Sequence, residues 1–168
     1  MMKIKLFLLF FLAAVLAKTE RAIAIPGPEK PNFDRKEYYR VLKTGGLSEI
    51  AAEETIVAEL GGNDGKAYNG GLLMRKAGLL RRPKDRLEAF KKGRFQLETA
   101  IRADPDRVEY HFLRLIIQEH APNVVKYRDQ LNEDRDLVRR QFSGLPSDLQ
   151  EVIRDYSQGS AVLHPVEQ

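Results

Sequence analysis

Apolar residues along this chain recur at three- and four-residue steps, and outside the N-terminus no run alternates convincingly with period two, so the pattern predicts helices rather than strands. The densest stretch runs from Lys84 to His120 and reads as two helices joined at Ala103-Asp104-Pro105-Asp106. The upstream helix carries Leu87, Phe90, Leu97 and Ile101 on one face, with Ala100 beside them. The downstream helix is apolar on nearly every side from Val108 to Ile117. Such a helix must be covered by neighbours, which makes it the natural centre of a small domain.

Working outward from that pair, a helix is predicted over Arg35–Lys43 with Tyr38, Tyr39, Val41 and Leu42, stopped at Gly45-Gly46 by left-handed glycine. Ser48 is placed to cap a second helix ending at Leu60, with Glu49, Glu53 and Glu54 near its positive end. Gly61-Gly62-Asn63-Asp64-Gly65 reads as a turn before a third helix over Lys66–Leu80. Gly70, Gly71 and Gly78 each cost that helix about 1 kcal/mol of propensity, which points to close approach of a neighbouring backbone. Pro83 suits a first helical turn, and Asp106-Arg107-Val108-Glu109 has the spacing of a capping box. Ala121-Pro122 stops the inner helix. Tyr127, Leu131, Leu137, Val138 and Phe142 then mark one long helix, or two short ones broken at Asn132-Glu133-Asp134. Pro146-Ser147-Asp148 starts a last helix with the stripe Leu149, Val152, Ile153 and Tyr156, ended by Gly159. The expected fold is all-α: a single domain of six or seven helices over residues 35–158, stacked as antiparallel hairpins and followed by a flexible tail, 159–168.

The N-terminus is different in kind. Lys3 and Lys5 precede an unbroken apolar run from Leu6 to Ala17, about a dozen residues, the size of a secretory signal core and short for a spanning helix. Small residues suit cleavage after Ala17 or after Ala24, and the second leaves a loop-like start, Ile25-Pro26-Gly27-Pro28, opening a linker to residue 34. The chain has 168 residues and no cysteine, so no disulfide and no cysteine ligand or nucleophile. It also has no Asn-x-Ser/Thr sequon. Export without either feature points to a periplasmic or secreted bacterial protein, with no transmembrane segment once the signal is gone. The formal charge of +4 falls to about +1 when Lys3, Lys5, Lys18, Arg21 and Glu20 are set aside. The basic balance is therefore weak support for nucleic acid, and no nucleic-acid partner is expected.

The joint Ala100-Ile101-Arg102-Ala103-Asp104-Pro105-Asp106 resembles the tetratricopeptide family, in which an alanine five residues before a proline closes one helix and opens the next. Across residues 66–120 the resemblance implies stacked helical hairpins and a groove for a protein or peptide partner. Phe112-Leu-Arg-Leu-Ile-Ile-Gln-Glu-His-Ala-Pro122 is also similar to a pattern in uncharacterised exported helical proteins of gliding-type bacteria, a likeness that implies no activity.

Two sets of residues can carry function. Arg75, Lys76, Arg81, Arg82, Lys84, Arg86, Lys91, Lys92 and Arg94 form a basic run opposed by Asp85 and Glu88, suited to anionic lipid headgroups or acidic polysaccharide, or simply a solvated face. Glu109, His111, Arg114, Gln118, Glu119 and His120 lie on the inner helix, where they serve packing or, with His111, Glu119 and His120 together, an acid/base or metal site. No zinc-type His-Glu-x-x-His spacing is present, and Gly61–Gly65 lacks the phosphate-loop and calcium-loop patterns. No serine sits in a Gly-x-Ser-x-Gly setting. The expectation is a non-enzymatic protein without cofactor or metal, binding a protein or peptide through exposed tyrosines such as Tyr38, Tyr39 and Tyr68, with an anionic envelope ligand as the alternative. Mass spectrometry of the exported protein should find the first 17 or 24 residues missing; an intact Met1 in the membrane fraction would overturn the export reading.

Overall fold

Every regular element among the described residues is helical. A computed structural model describes residues 33–164; the expected signal peptide, most of the linker, and residues 165–168 lie outside that range. The order is α1 (Arg35–Thr44), α2 (Leu47–Leu60), α3 (Gly62–Leu79), α4 (Pro83–Ala103), α5 (Val108–His120), α6 (Leu131–Gln141) and α7 (Ser147–Ser157), with short 3-10 turns at Asn123–Val125 and Phe142–Gly144. The all-α expectation holds. No described helix is long and apolar enough to cross a membrane.

Local chemistry sets the helix ends, in several places differently from expectation. Asp34 caps α1, its carboxylate accepting from the Lys36 and Glu37 amides at 2.9 and 3.2 Å. Gly45 is extended rather than left-handed, and a Cβ there would sit 2.6 Å from the Val41 carbonyl oxygen, so the glycine answers to space. Ser48 does not cap α2; the helix starts at Leu47, and the Glu49 carboxylate accepts from the Gly46 amide at 2.9 Å. Gly61, at φ +64, breaks the chain, and α3 begins at once at Gly62. Asn63, Asp64 and Gly65 are therefore the first turn of α3, where the sequence predicts a loop. The Asp106–Glu109 capping box does not form: Arg107 is the cap position, and the Glu109 carboxylate bonds Arg35 instead. One helix, α6, spans Asn132–Asp134, and Tyr127 lies in the connection before it.

α4 lies antiparallel along α3, although the sequence pairs it with α5. Gly70 and Gly93 face each other at the crossing, where a Cβ on Gly93 would meet the Gly70 carbonyl oxygen at 2.5 Å and one on Gly70 would meet the Gly93 oxygen at 2.8 Å. Asn69 donates to Gln96 alongside at 2.8 Å. Gly71 leaves room for Leu113 of α5, while Gly78 has nothing within 4 Å and no packing role. The expected close approach of a neighbouring backbone thus holds for Gly70 alone, since Gly71 meets the side chains of Tyr38 and Leu113.

α5 is the post of the domain. Ten of its thirteen residues are buried, Phe112, Leu113 and Leu115 completely. α1, α3, α4, α6 and α7 all reach it. The three tyrosines expected on an interface are instead in the core, with Tyr38 at 0%, Tyr39 at 7% and Tyr68 at 2% exposure. They stack with Phe33 and Phe112, and the Tyr38 hydroxyl donates to the Tyr68 carbonyl at 2.8 Å. Beyond α7, Leu163 is fully buried and Ser160 bonds α5, so the first residues of the expected tail pack on the domain. Substituting Gly93 by Val sets a branched side chain against backbone that cannot retreat. Chemical denaturation should show a loss of about 3 kcal/mol or more; a change within 0.5 kcal/mol would mean the crossing is loose.

Candidate functional site

The polar residues of α5 do not converge on one site: His111 and Arg114 share Asp134, and the others are committed to different neighbours. Glu109 accepts from the Arg35 Nε of α1 at 2.7 Å, and Arg35 also reaches Asp148 of α7. Arg114 donates through Nε and a terminal nitrogen to both oxygens of the fully buried Asp134 at 2.7 Å, and through its other nitrogen to Glu98 at 3.0 Å. Burial works against the Arg114 charge, but the Asp134 hydrogen bonds and the two carboxylates more than offset it and hold the guanidinium strongly charged. His111 sits between Asp134 Oδ1 at 2.7 Å and the Pro105 carbonyl at 2.9 Å, an arrangement that serves both oxygens when both ring nitrogens carry hydrogen. Gln118 donates to Gln130 at 3.1 Å.

Glu119 binds α7 and the residues just after it, accepting from the Tyr156 hydroxyl at 2.5 Å and from Ser160 and the Ala161 amide at 2.7 Å. Burial pushes its carboxyl up, yet those donors and nearby His120 together hold it below the usual range. His120 is exposed and caps its own helix through the Ile116 carbonyl at 3.0 Å. The His111, Glu119 and His120 set is thus divided between the α6 side and the α7 side of α5. It is not a constellation.

The basic run also divides. Lys76 pairs with Glu54 at 2.8 Å, Arg82 with Asp85 at 2.7 Å, and Arg94 lies 4.6 Å over the Tyr127 ring. Arg81, Lys84, Lys91 and Lys92 are exposed to water. Only Arg75 and Arg86 meet a concavity.

That concavity is a groove of about 880 Å³ at the C-terminal end of α5, within the range of ligand sites. α1 supplies one wall with Tyr39 and Leu42, and α3 the next with Met74, Ala77 and Gly78. The start of α4 adds Leu87 and Phe90; the last turns of α5 add Ile116 and Ile117. Val124 and Val125, in the connection after Pro122, and Val152 and Tyr156 of α7 complete it. Leu87 is 50% exposed and Val124 83%, so water now covers apolar surface there. Lys43, Arg75 and Arg86 stand on its rim, as do Lys36 and Arg40, which are paired with Glu151 and with Glu37 and Glu49.

Most of these residues belong to no predicted site, because they come from five separated segments. The available signal was Val124-Val125, an apolar pair in a connection next to Pro122, for which no helix face accounts. No protein-family model, curated protein or solved structure matches the chain. The ties of α5 make a direct prediction. Replacing Asp134 by Ala strands the buried Arg114 and should cost about 3–5 kcal/mol in urea unfolding, whereas a loss under 1 kcal/mol would show that the pair is dispensable.

Proposed function

We propose that this chain is a non-enzymatic binding protein, working outside the cytoplasm, that seats the apolar chain of a long-chain amphiphile in the groove beside α5. The observation that carries the reading is the groove itself: about 880 Å³, lined mostly by aliphatic and aromatic side chains, with Leu87 and Val124 left open to water. The polar groups that suggested chemistry are occupied in ties between helices. The tyrosines that suggested a peptide-binding face are buried. An amphiphile is what remains that fits both shape and lining. Burying about sixteen methylenes contributes about 13 kcal/mol. After an association cost of at least about 4 kcal/mol, that leaves at most about 9 kcal/mol, enough for a Kd no tighter than a few tenths of a micromolar.

Gly78 offers a clean test, since it lines the groove and a Cβ there meets nothing within 4 Å. Gly78→Phe fills the groove without disturbing the core and removes a helix-weakening glycine. A fluorescent long-chain fatty acid titrated into the protein should saturate at one per chain. Gly78→Phe and Leu87→Asp should each weaken that binding about tenfold or more with the melting temperature held. Saturable binding that neither variant changes would place the ligand elsewhere. Tight binding of an amphipathic peptide helix, with none of the fatty acid, would replace this reading with the protein-partner one.

A further inference from the structure

We infer that the groove is selective for an anionic head, held at the end formed by Lys43, Arg75 and Arg86; this rests on the groove being the binding site. The charges along it are not evenly spread. At the first turn of α1, Lys36 is paired with Glu151 of α7 at 2.6 Å, and Asp155 acts on the same lysine. Those two carboxylates are the acidic residues that line the groove. Seven residues along α1, about 10 Å away, Lys43 stands beside Arg75, whose guanidinium reaches the Gly45 carbonyl two residues further on. Arg86 enters the same groove from the first turn of α4, whose N-terminus adds a favourable field for negative charge.

Among the described residues, no carboxylate lies within ion-pair distance of Lys43, Arg75 or Arg86. Arg75 is the least satisfied of the three. Its Nε is buried with no acceptor, and its single hydrogen bond, to Gly45, is long at 3.4 Å. A guanidinium has five donors in a planar fork that matches a carboxylate or phosphate bidentately. A turn of the Arg75 side chain toward the groove would give that fork its acceptor, while the chain of the ligand runs over Met74, Leu87 and Ile117 toward α7. Lys84, Lys91 and Lys92 are exposed on α4 and do not line the groove. The cations that border the apolar surface are therefore the ones that select the head.

The test compares ligands with one long alkyl chain and four heads: carboxylate, phosphate, alcohol and ammonium. Wild-type protein should bind the carboxylate or the phosphate at least tenfold more tightly than the alcohol, and the ammonium most weakly. The two anionic arms tell a fatty acid from a phosphorylated amphiphile. Arg75→Gln should reduce that preference to about twofold while alcohol affinity stays constant, and Arg75→Lys should restore part of it. Should Arg75→Gln unfold, the exposed pair Lys43→Gln with Arg86→Gln carries the same expectation. Equal binding of alcohol and anions, or an equal loss for every head in the variants, would overturn the anionic selection and leave the apolar groove standing. Failure of all four ligands to bind would remove the groove reading, and this inference with it.

Discussion

A helix that is apolar all round and still carries Glu109, Arg114, Gln118 and Glu119 imposes a double constraint. Its apolar surface needs cover on every side, and each polar group needs a partner inside that cover, because an unpaired buried charge costs several kcal/mol. α5 meets these needs for its charged groups through ties to its neighbours: Arg35 from α1, Glu98 from α4, Asp134 from α6, and Tyr156 of α7 with Ser160 beyond it. A rotation of α5 by one residue would separate all of them at once. The helices around it are held in place by that arithmetic of partners as much as by apolar contact.

The groove follows from the same element. α4 has 21 residues and α5 has 13, so at about 1.5 Å per residue α4 runs about 12 Å longer. Ala121-Pro122 ends α5 where the first turns of α4 continue, alongside the length of α1 and the face of α7. Those three helices have apolar sides turned toward a post that has stopped. The space left over is lined by residues such as Leu42, Leu87 and Val152, which any amphipathic helix would show. The site is a consequence of one helix being short.

Much of this was legible in the chain. Val41, Ile50, Val57, Leu97, Ile101, Leu149 and Ile153 are buried where period and composition place them. The buried post at Val108–His120 follows from its sequence because no polar face exists to expose. The errors fall where another bond competes with the expected one. Ser48 and the Asp106–Glu109 pair have sound capping chemistry, but Gly46 starts α2 with help from Glu49, and Arg35 competes for Glu109 from 74 positions away. Gly62–Gly65 has the composition of a loop and becomes a helical turn, with Asp64 accepting from Tyr110 at 2.6 Å. At Glu109 and Asp64 a long-range contact accompanies the departure from a local preference worth about 1 kcal/mol, whereas at Gly46 the bond from Glu49 is itself local.

The sequence by itself determined the helical class, the approximate span of each helix and the identity of the buried one, because periodicity and glycine or proline breaks act within a turn or two. Only the tertiary structure decided that α4 runs along α3, that His111, Glu119 and His120 part company, and that Arg75 and Arg86 leave the basic run for a groove shared with Lys43. Those facts depend on which faces meet across tens of residues. The Lys84–His120 stretch is still the centre, but its two halves divide the work: α5 holds the domain together, and the start of α4, beyond the end of α5, opens the place where a ligand fits.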